Sequence, residues 1–179
     1  SRLGARPLAF PPVIVLLTAV HFHYTGFAVP VFTALTGRFL ARIQRAAPAY
    51  PWVAGLIVSA MPVVAAGITF SPWLEALGVL MLFSAMVGLA GVIGFHVAPQ
   101  SPSRPARLLL TVAACAMVAA ITPALLYGAG ELGGRSFITI PRMVQLHGFT
   151  NAFGFITCGL IGWLVAGTAT DRQSNQRTQ

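Results

Sequence analysis

"PWLEALGVLMLFSAMVGLAGVIGFHV" fills residues 72–97 and carries one charged side chain, Glu75, in 26 positions. Wound as an α-helix it is about 39 Å long, more than the ~30 Å of hydrocarbon in a bilayer. Its apolar residues run unbroken instead of alternating in period two. A barrel strand is therefore excluded, and a helix is the way to satisfy every backbone amide in lipid. Ser71 before Pro72 reads as an N-cap followed by proline at the first helical position, and Glu75 suits the positive end of the helix dipole.

Outward from this run the pattern repeats. The chain has 179 residues, 56% hydrophobic and 8% charged, with a mean hydropathy of +0.80. A soluble domain carries about 25% charged residues, so this composition lacks the polar surface of one. Spans of membrane-crossing length fall at about 12–36, 51–70, 72–97, 106–128 and 141–167. The expectation is an all-α integral membrane bundle of five transmembrane helices in one domain over 1–179. Pro11 and Pro12 open the first helix. The segment 37–51 reads as a basic connection, partly an interfacial helix. The three prolines in 98–107 interrupt the helix there, 128–141 reads as a Gly-rich loop, and 170–179 reads as a frayed polar tail. Pro30, Pro62 and Pro123 are expected to kink their helices and free carbonyls. Small residues at four-residue spacing, Ala90 with Gly94 and Gly154 with Cys158 and Gly162, predict close helix contacts. The start at Ser1, in a basic segment with no signal-peptide pattern, reads as a fragment lacking N-terminal helices.

The net charge of +8 comes from eleven arginines against three carboxylates. Those arginines sit between apolar runs with no interleaved aromatic stripe, so the expected partners are membrane lipids and not nucleic acid. With five spans, seven arginines fall on the side of the 37–50 and 98–107 loops and the tail, and four on the other. That split predicts a cytoplasmic C-terminus. The absence of Lys beside abundant Ala, Gly, Pro and Arg points to GC-rich coding and so to a bacterial cytoplasmic membrane. Cys115 and Cys158 lie in apolar runs and read as packing residues.

Polar groups inside a span are costly and mark candidate sites. His21, His23 and Tyr24 lie in "TAVHFHYTGF" (18–27), and His147 and Asn151 in the last span. At 1.5 Å per residue the first two histidines are roughly 13–16 Å deep, His147 roughly 9 Å and Asn151 roughly 15 Å, all measured from one side. The five residues therefore meet in one half of the bundle if the first and last helices touch. On ideal helices His21, Tyr24 and Thr25 share a face, with His23 about 200° away from His21. His147, Asn151, Gly154 and Cys158 form a second stripe. Arg142 is placed to snorkel to headgroups or to hold an anionic group. His96 reads as a helix C-terminal histidine, and Tyr127 and Trp163 as an interfacial aromatic belt.

Three chemistries fit this constellation. In acid–base chemistry on a small lipophilic substrate (isomerisation, cyclisation or ring opening), His21 or His147 is the base, Tyr24 the proton donor and Asn151 the orienting amide. His23, Thr25, Arg142 and Gly154 would line the substrate. The second is passage of a proton or solute by a transporter or transporter subunit. The third is ligation of haem or a transition metal by histidine, although no carboxylate lies at this depth and no cofactor is the expectation. The string "HFHY" is similar to one in the haem-copper oxidases, but those need about six histidines and this chain has four. The structural alternative is a set of interhelical hydrogen bonds.

The blocks "HFHYTGFAVP" (21–30) and "HGFTNAFGF" (147–155) make the chain resemble the YndJ-like bacterial membrane proteins. The matching positions are His21, His23, Tyr24, Gly26, Phe27, Pro30, His147, Gly148, Asn151, Gly154 and Phe155. The resemblance implies a multi-pass membrane protein with a shared polar site and, by the family's usual label, a transporter.

Overall fold

The structure, a computed structural model, describes residues 12–177, with side chains for all of these except 13, 14, 17, 18, 21, 131 and 168–177. Among the described residues five helices follow one another. Helix α1 runs Pro12–His23, widens to a π-helical turn over Tyr24–Ala28, and continues Val29–Arg42. Helix α2 is Tyr50–Phe70. Helix α3 is Pro72–Val92 with a π turn at Ile93–Val97 and a closing 3₁₀ turn at Ala98–Gln100; α4 is Arg104–Leu132. Helix α5 starts at Ile140–Met143, is π-helical over Val144–Gly148 and Thr150–Thr157, and ends as Cys158–Arg177. No strand occurs among the described residues.

Four of these helices are long and apolar enough to cross a membrane: Tyr50–Phe70, Pro72–Gln100, Arg104–Gly130 and Ile140–Gly167. The first expected span is helical too, and part of its apolar N-terminal half lies outside the residues described to the side chain. The architecture is the all-α, multi-pass membrane bundle that the apolar runs require.

Several ends differ from expectation. Helix α1 persists to Arg42 and closes in a Schellman motif: the Arg45 amide donates to the Leu40 carbonyl and the Gln44 amide to that of Ala41, each at 3.2 Å. Gln44 takes the left-handed position with φ 50°. Helix α4 runs through Gly128 and Gly130 to Leu132, and its end repeats the motif with Gly134 at φ 61° and Arg135 bonded to Gly130. Two helical glycines cost ~1 kcal/mol each, less than leaving backbone amides unpaired away from water. Helix α5 continues through the polar tail to Arg177 instead of fraying. Ser71 holds the cap position with extended backbone, yet its side chain makes no capping bond.

Helices α2 and α3 form a hairpin turned at Ser71, with Gly67 against the Glu75 backbone, Gly78 against Val64 and Gly88 against Val53. Gly94 of α3 approaches Ala114 of α4. Helix α5 packs antiparallel to α4, where a Cβ on Gly154 would lie 2.6 Å from Ala116 Cβ and one on Gly162 3.1 Å from Leu110. Cys158, between Gly154 and Gly162, is packed against the core, and Gly159 beside it comes close to Phe32 and Ala113.

Helix α1 meets α5 in parallel. The Phe32 and Phe155 rings lie 4.8 Å apart and the Phe39 and Trp163 rings 5.8 Å apart. Trp163 thus turns toward the bundle, and its Nε1 is buried, instead of joining an interfacial belt. The Tyr50 hydroxyl donates to the Thr33 carbonyl at 2.6 Å and fastens α2 to α1. Phe32, Phe155, Ile93, Leu110 and Met117 fill the middle, while Trp52, Phe70, Trp73 and Phe95 are exposed on an outer surface suited to lipid.

Candidate functional site

The histidines sit where the helices widen. Tyr24 begins the α1 π turn directly after His23, His96 lies within that of α3, and His147 and Asn151 lie within the two of α5. Such turns are frequent at functional positions, because the extra residue per turn re-aims side chains and loosens the local ladder. Pro30 follows the α1 turn closely and removes an amide from the same ladder.

His147 Nδ1 is 2.7 Å from the Ala120 carbonyl on α4. A carbonyl only accepts, so Nδ1 carries the hydrogen and Nε2 of the neutral ring presents its lone pair. The Asn151 amide donates to that lone pair across 3.0 Å. Both ring nitrogens are thereby engaged, and the half-buried imidazole ties α5 to α4. Ala120 is 1% exposed and lies in the turn that Pro123 disturbs.

His23 is arranged differently. Its Nδ1 lies 2.8 Å from the carbonyl of Ala19 in its own helix, so the hydrogen sits on Nδ1 and Nε2 is left with an open lone pair. The ring is exposed. Tyr24 is 50% exposed, and its hydroxyl makes no hydrogen bond among the described residues. Both line a groove of about 280 Å³ between α1 and α5. Phe27, Ala28 and Val31 form the α1 wall, and Ile156 and Leu160 the α5 wall. The exposure of Phe27, 72%, and Leu160, 43%, shows that the groove opens sideways onto the apolar surface.

The Phe32–Phe155 and Phe39–Trp163 contacts fix the register of the two helices. Counting back eight residues from the first pair brings Tyr24 level with His147. The two helices do touch, but the rise per residue puts Tyr24, next after His23, roughly 9 Å deeper than His147, whereas the ring contacts bring the two level. The structure brings His147 together with Asn151, and His23 together with Tyr24, but joins the two pairs by no hydrogen bond from Tyr24. The side chain of His21 lies outside the described residues. Thr25 is half-buried, Arg142 is exposed in the first turn of α5, and Gly154 is filled against Ala116. Sequence reasoning missed the Ala120 carbonyl, for which Pro123 was the available signal, and the aliphatic walls at Val31, Ile156 and Leu160, for which there was none. Among the described residues no three His, Cys, Asp or Glu side chains group closely enough to hold a metal ion.

The family model described as YndJ-like protein matches residues 1–155. The chain is also similar to a protein of Bacillus subtilis (strain 168) described as uncharacterized membrane protein YndJ, 33% identical over 158 residues. That match covers 88% of this chain and 28% of the relative, so the chain spans little more than a quarter of the relative's length. No solved structure matches. With 155 of 179 residues under the family model, the chain belongs to the YndJ-like protein family.

Proposed function

We propose that this chain is the part of a membrane protein that takes a lipophilic molecule with a polar end from the bilayer into the α1–α5 groove. His23 and Tyr24 then act on that polar end as proton acceptor and proton donor. The observation that carries this reading is the sideways-open apolar groove whose lining includes His23 and Tyr24, with no hydrogen bond to His23 Nε2 or to the Tyr24 hydroxyl among the described residues. Removing a proton at one atom and returning one at another leaves the substrate's composition unchanged, so isomerisation or a ring opening or closure fits the pair. His23 stands as the base in place of His147, whose Nε2 lone pair is already bonded by Asn151, and of His21, whose side chain lies outside the described residues.

The test is photolabelling of the protein reconstituted in vesicles with a diazirine-bearing fatty alcohol, followed by peptide mapping. Labelling concentrated at Val31, Ile156 and Leu160, and reduced by Leu160→Trp, is the expected result. Equal labelling of Trp52 and Phe70, untouched by that substitution, would overturn the groove. A product formed in detergent, where no gradient exists, separates chemistry from transport through the same residues.

A further inference from the structure

A second polar site lies outside the groove, toward the end where α1 finishes and α4 begins. Three buried atoms there have no hydrogen-bond partner among the described residues: Thr36 Oγ1, His96 Nδ1 and Trp163 Nε1. Thr36 is 0% exposed. Other helical hydroxyls turn back to the carbonyl four residues earlier, as Thr33, Ser59, Thr69, Ser84 and Thr122 all do. Thr36 has the Phe32 carbonyl at the same spacing and makes no such bond, so its hydroxyl is aimed elsewhere.

The contacts of neighbouring residues place Thr36, His96 and Trp163 within about one helical turn of one another along the bundle axis. Phe32 rests on Gly159 and Phe39 on Trp163, which puts Thr36 between those two positions of α5. Gly159 also adjoins Ala113, and Gly94 adjoins Ala114. His96, two residues past Gly94 on a helix antiparallel to α4, therefore falls level with residue 112 and within about one turn, ~5 Å, of Thr36 along the axis. Laterally, the Val29–Arg42 part of α1 touches the Ile93–Val97 turn of α3 as well as Trp163 of α5. The buried Phe32, Ile93, Val97 and Leu110 belong to these same turns, and among the described residues the only polar residues buried as a whole are Thr33, Thr36 and Ser101, none of them charged.

An indole N–H only donates, a hydroxyl does both, and a ring nitrogen does either according to tautomer. Surroundings without a buried charge disfavour an ion. The ligand that matches three such groups in an apolar setting is water, which makes about three hydrogen bonds when buried. His96 is itself half-exposed, so its ring reaches from the buried atoms to the bundle surface. We infer that Thr36, His96 and Trp163 bind ordered water at the junction of α1, α3 and α5, with His96 as the port through which that water exchanges.

Two measurements test this on the reconstituted chain. Trp52 and Trp73 are 79% and 74% exposed, so Trp52→Phe with Trp73→Phe leaves Trp163 as the one indole at little structural cost. Resonance Raman spectra should show a hydrogen-bonded indole N–H that deuterates within minutes in D2O, about tenfold more slowly in His96→Leu. An unbonded N–H, or none exchanged over hours, overturns the inference. The second arm is thermal unfolding of Thr36→Val. Bonded to water, Thr36 leaves its partners unpaired when lost, and Tm falls by about 2–4 °C. If Thr36 is bare, the substitution removes an unpaired buried hydroxyl and raises Tm, which also overturns the inference.

Discussion

Gly159→Ala tests the contact on which the groove depends. A Cβ at Gly159 would lie 2.8 Å from Cε1 and Cζ of Phe32 and 3.5 Å from Ala113 Cβ. Carbon atoms rest at about 3.5–4.0 Å, so the Phe32 ring must retreat by about 0.7–1.2 Å. It has little space to do so, being 1% exposed and set 4.8 Å from the Phe155 ring, itself 2% exposed. Overpacking of this kind costs about 1–3 kcal/mol, against which alanine gains about 1 kcal/mol over glycine in helix propensity. The expected net loss is about 1 kcal/mol. In a Phe32→Leu background the two ring carbons are gone, the Ala113 contact is ordinary, and only the propensity gain remains. There Gly159→Ala should stabilise by about 0.5–1 kcal/mol, a reversal of sign. The assay is reversible unfolding in mixed micelles by SDS titration, followed by circular dichroism. Equal effects in both backgrounds, within about 0.5 kcal/mol, would show that α1 does not rest on α5 at this point.

Three further outcomes are expected. Gln44→Gly should raise stability by about 0.5–1 kcal/mol in the same assay, because glycine takes the left-handed position at the α1 terminus without the Cβ penalty, less its own entropy cost. His147→Leu should cost about 0.6–1.7 kcal/mol, the range of single interhelical hydrogen bonds in membranes, and Asn151→Leu less, since Asn151 bonds to its own helix. Tyr24→Phe and His23→Leu should leave the unfolding midpoint within about 0.5 kcal/mol, both residues being exposed, while abolishing any turnover of a lipophilic substrate in detergent.

The spans were legible because lipid leaves the backbone few choices. A run such as 72–97 can satisfy its amides only within itself, whatever its neighbours do. The level of Tyr24 against His147 was not legible, because rise per residue converts position into depth only from the point where each helix enters the membrane, and that count put Tyr24 roughly 9 Å deeper. The wide turns were not legible. An i→i+5 repeat has no residue signature comparable to a proline or a cap, and one extra residue re-aims every side chain beyond it. The contacts of Gly159 with Phe32 and of Trp163 with Phe39 lie beyond such a turn. The His147 partner was hidden for another reason. It is a backbone carbonyl, and any residue supplies one; only Pro123, three residues on, hinted that this turn of α4 was irregular.

The hydrogen bonds of the histidines sort their chemistry more sharply than their depths do. His147 gives its hydrogen to Ala120 and its lone pair to Asn151, so charging it would require the Asn151 amide to turn its oxygen inward. His23 spends its hydrogen on Ala19, one turn back in its own helix, and its Nε2 makes no hydrogen bond among the described residues. The bond to Ala19 also fixes the tautomer, so the open nitrogen is the one that lacks a hydrogen. The two helices therefore divide: the α5 histidine holds α4, and the α1 histidine and tyrosine are exposed beside the groove. A test follows from the division. Tyr24→Phe should remove turnover without loosening the bundle, whereas His147→Leu should loosen the bundle and lower turnover only as far as folded protein is lost. If His147→Leu abolishes turnover in protein that remains folded, the base belongs to α5 and the assignment to His23 fails.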